Sequence, residues 1–325
     1  MAHFRYLLAL FLLAVAAPLA AEPGPPVSAN EIAVGESLPY AFFASPEGAG
    51  PHPAVILLGG SEGGDRSARD FAPRFLEEGY AVLGLPYYSP AYFGQEQQLP
   101  GMERAFSSIP LDMLETARDW LRARADVRAD AIGIYGVSKG AEFALAGASR
   151  IEGFAAVVAI VPSDVIWEGW GPGTKEGEPS SFSWRGEALP FVPYLGMQAE
   201  FAKYADPEAV VRLRTPHDAG RAANPDRVPA ARIRVEEIDE PVLVAGGHED
   251  NVWDSGAMTQ NIAERRAEAG GLETVALVYP EAAHALSGMG KQRTEGEFRY
   301  SEADLAAQRE IWPATLEFLA KHLKQ

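Results

Sequence analysis

Ile132-Gly133-Ile134-Tyr135-Gly136-Val137-Ser138-Lys139-Gly140-Ala141-Glu142-Phe143 runs from an apolar segment through Gly-x-Ser-x-Gly into an Ala- and Leu-rich stretch that ends at Ser149. The residues before Gly136 favour a strand and those from Gly140 onward a helix. Glycines at 136 and 140 place no side chain in the way of a sharp strand-to-helix turn, so Ser138 can project its hydroxyl from the tip. Gly-x-Ser-x-Gly alone is a weak signal, because glycine and serine are ordinary turn residues. The strand before it and the helix after it make this one read as a nucleophile elbow.

Outward from the elbow, strands and helices alternate. Glu31 to Ala44 can supply two short edge strands, and Ala54 to Leu58 is a continuous apolar strand, as when both faces of a sheet are covered. Arg66 to Glu78 has Ala68, Phe71, Phe75 and Leu76 at helical spacing, and Tyr80 to Leu85 is the next strand. Ser108 is placed to cap a helix reaching about Arg124, with Pro110 in its first turn. After the elbow come strands Phe154 to Val161 and Pro241 to Gly246, a helix from Asp254 to Ala269, and strand Thr274 to Tyr279. Ser301 and Asp304 open a C-terminal helix as a capping box, and Pro313 is expected to kink or divide it. The alternation predicts one α/β domain over residues 51–325, a mostly parallel doubly wound sheet with functional loops at the carboxyl ends of its strands, and the serine elbow at one such end makes the α/β-hydrolase fold the expectation.

Residues 163–240 interrupt this rhythm with proline, glycine and many aromatic residues, among them Trp167, Trp170, Phe182 and Trp184. An irregular stretch of that length is uncommon without a role, so it reads as an aromatic lid insertion. Between Pro207 and Arg234 six arginines, including Arg212 and Arg214, outnumber three acidic residues, which suggests contact with an anionic substrate group.

A chain of 325 residues with 47% hydrophobic content can bury one large core. The net charge of −17 makes nucleic acid an unfavourable partner but leaves an anionic small substrate open, since exposed charges are screened beyond about 8 Å at physiological salt. Arg5, the apolar run Tyr6 to Ala17 and small residues through Ala21 read as a secretory signal peptide, residues 1–21. That run stops at Pro23, short of the roughly 20 residues that span a bilayer, so no stable membrane anchor is expected after cleavage. With no cysteine the chain carries neither disulfide nor lipidated thiol, and a periplasmic or secreted protein is expected. Residues 22–50 form a linker and edge strands ahead of the main domain.

Serine needs a base, and the base a carboxylate that holds its tautomer; on this fold their chain order is Ser, acid, His. Of the six histidines, His3 lies in the leader, His52 precedes the nucleophile, His217 lies in the insertion, His248 comes too early and His322 sits near the end of the last helix. His284, in the loop after Thr274 to Tyr279, is the expected base. The acid should follow Pro241 to Gly246, where Glu249, Asp250 and Asp254 compete. Asp254 suits a helix cap and Glu249 turns away if Asp250 turns inward, so Asp250 is chosen. The oxyanion hole is assigned to the backbone N–H of Lys139 and that of Ser61 in Gly59-Gly60-Ser61-Glu62-Gly63-Gly64, with Glu62 as the rival. A phosphate loop would carry Lys after its last glycine, where this chain has Asp65, and no His or Cys spacing suits zinc, so no cofactor or metal is expected.

These motifs, with Val161-Pro162-Ser163, Trp167, Asp250-Asn251-Val252-Trp253, Ser255 and the loop from His284 to Gly288, resemble the C-terminal hydrolase domain of acyl-CoA thioesterases and bile acid-CoA:amino acid N-acyltransferases over about residues 50 to 322. Ser-Lys-Gly-Ala-Glu after the elbow is the most specific element. The resemblance implies a triad of Ser138, Asp250 and His284 acting on an acyl thioester or ester, with a dienelactone-hydrolase-like carboxylesterase as the alternative and a non-catalytic binding protein as a third. Where the family has two aspartates this chain has Glu249-Asp250, and it has Asp254 where the family has proline. The acyltransferase branch commonly uses cysteine, which is absent here, so hydrolysis is expected. Trp167 and Trp253 are the candidate apolar substrate contacts.

Overall fold

The computed structural model of the chain describes residues 23–91, 96–206, 209–270, 273–292 and 299–325, so the leader read at 1–21 lies outside the described residues. Two short strands, β1 (Ile32–Ala33) and β2 (Phe42–Ala44), precede β3 (His52–Leu58), helix α1 (Arg66–Glu77) and β4 (Ala81–Gly84). β5 (Ile109–Pro110) leads to α2 (Asp112–Arg122), and β6 (Val127–Val137) enters α3 (Lys139–Ala148). After β7 (Ala156–Ile160) come β8 (Phe182–Trp184), β9 (Glu187–Ala188), α4 (Met197–Ala202), α5 (Arg214–Ala223) and α6 (Val228–Ala231). β10 (Val242–Gly247), α7 (Ser255–Glu268), β11 (Thr274–Tyr279) and α8 (Glu302–Leu323) follow.

The main sheet has the order β1-β2-β4-β3-β6-β7-β10-β11. β1, β2 and β4 pair antiparallel, and every pairing from β4 to β11 is parallel. β3 shows why its sequence is an unbroken apolar run. Ala54, Ile56 and Leu58 enter one buried cluster with Leu114 and Leu121 of α2 and Phe143 of α3, while Val55 and Leu57 enter another with Phe71 and Phe75 of α1 and Leu319 and Leu323 of α8. With helices on both sides, neither face of the strand meets water.

Several elements differ from the sequence reading. Ser108 caps no helix: its backbone has φ +51°, and Ile109 and Pro110 pair in parallel with Phe182 and Ser183, so α2 begins only at Asp112. Long-range pairing has overridden a local helix signal. β6 is longer than the expected 131–135, because Val127 pairs with His52 ahead of an irregularity in register. α8 continues through Pro313 as one helix. Residues 163–240, read as loop-rich, contain α4 to α6 and the strands β8 and β9 of a small sheet ordered β5-β8-β9. Asp254 does cap α7, accepting the Ala257 N–H at 3.0 Å.

Candidate active site

Ser138 stands between β6 and α3 with φ +57° and ψ −120°, a backbone conformation that non-glycine residues avoid and that recurs at functional turns. The two glycines of the motif do different jobs. A Cβ on Gly136 would sit 2.2 Å from the Gly140 carbonyl oxygen, so glycine lets the elbow fold onto itself. A Cβ on Gly140 would sit 2.3 Å from the Gly59 carbonyl oxygen, so glycine there lets α3 press against the loop after β3.

The loops after β6, β10 and β11 bring Ser138, Asp250 and His284 together. Ser138 Oγ lies 2.9 Å from His284 Nε2, and His284 Nδ1 lies 2.9 and 2.8 Å from the two Asp250 carboxylate oxygens. A carboxylate only accepts, so Nδ1 carries the proton, and the bare Nε2 accepts from the serine hydroxyl. Asp250 is buried and also accepts the N–H groups of Val252 at 2.8 Å and Trp253 at 3.3 Å, which hold the carboxylate in place. Glu249 points to solvent, while its N–H donates to the Ala282 carbonyl at 3.1 Å and ties the acid loop to the histidine loop.

Helix α8 grips the histidine loop on either side of His284. Asp304 accepts the Ala283 N–H at 2.7 Å while completing the capping box with Ser301, and Gln308, fully buried, donates to the Ala285 carbonyl at 2.6 Å and accepts the Gly290 N–H at 3.0 Å. Nothing in the local sequence marks Gln308 for this post, because its partner lies 23 residues away.

Lys139 has two roles. Its N–H belongs to the first turn of α3, where donors have no intrahelical carbonyl to reach. Its side chain is buried: Nζ donates to Glu142 at 2.6 Å and to Ser181 Oγ at 2.9 Å and lies over the rings of Phe106 and Phe182. Glu142 in turn accepts the Trp167 N–H at 3.0 Å, and Ser181 donates to the Glu168 carbonyl at 2.9 Å. Burial drives Lys139 below and Glu142 above its ordinary range, and their mutual attraction pulls both back. The Ser-Lys-Gly-Ala-Glu motif thus fastens the insertion to the nucleophile helix, a role that a charged pair three residues apart in an apolar helix start already hinted at.

The structure distributes the candidate substrate residues unevenly. Trp253 packs edge-on against the His284 ring at 5.4 Å and donates its indole N–H to the Val161 carbonyl at 3.3 Å. Trp167 lies two rings beyond Trp253, past His217, in a buried group with Tyr194 and His217. His217 packs against Trp253 too, and burial lowers its pKa to about 3, leaving it neutral with Nδ1–H donating to the Leu213 carbonyl at 2.7 Å. Arg214 is reassigned. Its guanidinium is engaged by Asp254 at 2.6 Å, Asp218 at 3.2 Å and the carbonyls of His248 and Asp250 at 2.5 and 3.2 Å, so it braces the acid loop from behind. Arg221 is likewise held by Asp164 at 2.6 and 2.9 Å, and Arg212 is exposed, with its N–H on Glu200. Among the described residues no group of three His, Asp or Glu is arranged to hold a metal ion.

A doubly wound parallel sheet with this serine turn after a central strand defines the α/β-hydrolase fold. The chain belongs to the BAAT / acyl-CoA thioester hydrolase C-terminal family, whose pattern matches residues 109–288. The dienelactone hydrolase family also matches, over residues 40–168. Acyl-coenzyme A thioesterase 1 of Rattus norvegicus is 28% identical over 243 residues, covering 75% of this chain and 50% of that protein. Acyl-coenzyme A amino acid N-acyltransferase 2 of the same species is 28% identical over 316 residues, covering 93% and 67%. The chain spans about half the length of the thioesterases it matches. MGS-M1, an alpha/beta hydrolase enzyme from a deep-sea metagenome library, superposes with a TM-score of 0.53 at 15% identity, covering 91% of this chain and 97% of that one.

Proposed function

We propose that this protein is a serine hydrolase that cleaves an acyl thioester or ester through an acyl-enzyme intermediate. The hydrogen-bonded series from Ser138 through His284 to Asp250 carries the reading. His284 takes the serine proton as Oγ attacks the carbonyl carbon, then returns it to the leaving thiolate or alkoxide; Asp250 steadies the imidazolium between the two transfers. The N–H groups of Lys139 and Ser61 hold the developing oxyanion. Water, deprotonated by the same imidazole, then releases the acid. Thioester substrates are favoured by the thioesterase relatives, and carboxylic esters by the dienelactone hydrolase match over residues 40–168.

A fluorophosphonate probe should label the folded protein at Ser138 and leave Ser138→Ala unlabelled. No adduct on Ser138 in the folded wild type would sink the proposal in favour of a binding protein. A panel of acyl-CoA, p-nitrophenyl ester and lactone substrates then separates the two substrate classes. On the best of these, Gln308→Leu should lower kcat roughly ten- to hundredfold by loosening the histidine loop. Unchanged kcat in a folded Gln308→Leu variant would show that α8 does not set the position of His284.

A further inference from the structure

The loop after β3 offers two rival second donors, the N–H groups of Ser61 and Glu62, and its backbone is braced from behind by two consecutive tyrosines. The Tyr87 hydroxyl lies 2.6 Å from the Gly59 carbonyl oxygen and 3.1 Å from that of Gly60, so one proton serves both acceptors. The Tyr88 hydroxyl donates to the Ser61 carbonyl. Tyr87 is buried, stacked on Phe143 with ring centroids 5.1 Å apart and edge-on to Phe106 at 5.8 Å, so its hydroxyl has a fixed address.

These contacts set the direction of the opposite backbone groups. The described peptide bonds of this loop are trans, and in a trans peptide the C=O of one residue and the N–H of the next point to opposite sides. Holding the Gly60 carbonyl toward Tyr87 therefore turns the Ser61 N–H away from Tyr87, and holding the Ser61 carbonyl toward Tyr88 does the same for the Glu62 N–H. Successive N–H groups turned to one side form a concave anion site. The Gly60 N–H is already committed to the Glu62 carboxylate at 2.9 Å. The peptide joining Gly60 to Ser61 adjoins the nucleophile, since a Cβ on Gly60 would lie 3.3 Å from Ser138 Cβ.

We propose that Tyr87 is a positioning residue of the oxyanion hole: its hydroxyl pins the Gly59 and Gly60 carbonyls so that the Ser61 N–H, not that of Glu62, meets the oxyanion. This rests on the hydrolase reading above. Tyr87→Phe keeps the stacked ring and removes only the hydroxyl. With the full chain and a p-nitrophenyl ester, it should lower kcat about 10- to 100-fold with KM within twofold, a fraction of what losing a donor outright costs. Binding of a trifluoromethyl ketone, which mimics the tetrahedral intermediate, should weaken by the same factor as kcat/KM. Tyr88→Phe should cost at least fivefold less than Tyr87→Phe. A Tyr87→Phe enzyme with wild-type kcat, a loss that appears in KM or leaves the ketone affinity unmoved, or a larger loss in Tyr88→Phe would each overturn the assignment. Absence of a fluorophosphonate adduct on wild-type Ser138 would instead remove the hydrolase reading itself, so the two failures are distinguishable.

Discussion

Asp250→Asn should reduce kcat by about 10⁴ while leaving KM within a few-fold of wild type. The substitution is nearly isosteric, and an amide oxygen can still accept the Val252 and Trp253 N–H groups that the carboxylate accepts now. What changes is the partner offered to His284. The present contact, with both carboxylate oxygens within 2.9 Å of Nδ1, fixes the proton on that nitrogen and leaves Nε2 bare toward Ser138. An amide NH₂ turned to Nδ1 would select the other tautomer, presenting N–H to a hydroxyl that must give up its own proton. The imidazolium formed during attack would also lose its counter-charge. Glu249→Gln is the control: its side chain faces solvent, and it should retain wild-type kcat. Steady-state kinetics with a melting curve for each variant decides the matter, and a loss below tenfold in folded Asp250→Asn would remove Asp250 from the triad role.

The central sheet and the serine turn were legible because each rests on short-range chemistry. An apolar run covered on both faces announces a buried strand, and Gly136 and Gly140 announce backbone approaches that no side chain survives. Asp250 and His284 followed from chain order, and the hydrogen bonds that join them to Ser138 were accessible only as an expectation. Several of the misreadings share one cause, partners distant in sequence. Ser108 and Pro110 carry helix-start chemistry, yet pairing of Ile109 with Phe182 claims that segment for a strand. Arg214 looked like a free cation because Asp254, which holds it, lies 40 residues on. Gln308 and Tyr87 belong to the same group: each meets its carbonyl across a wide gap in sequence, 23 and 28 residues, leaving no periodic or spacing signal to read.

Lys139→Met and Glu142→Gln should each destabilise the fold by about 3–5 kcal/mol, because each leaves its partner's charge buried and uncompensated. The pair is almost wholly withdrawn from water, with 2% and 0% of the two side chains exposed at a separation of 2.6 Å. In Lys139→Met the Glu142 carboxylate keeps the Trp167 N–H but loses its cation, and Ser181 loses a donor. In Glu142→Gln the amide can present one oxygen only, so satisfying Trp167 turns an NH₂ toward the Lys139 ammonium. For a chain of this size the loss corresponds to a fall in melting temperature of roughly 4–8 °C. The double variant Lys139→Met/Glu142→Leu should lose much less than the sum of the single changes, since it removes both buried charges together and leaves chiefly the Trp167 N–H unpaired. Thermal denaturation of the three variants forms a double-mutant cycle. Single variants melting within 2 °C of wild type, or additive losses in the double, would show that the insertion is not fastened to the nucleophile helix through this pair.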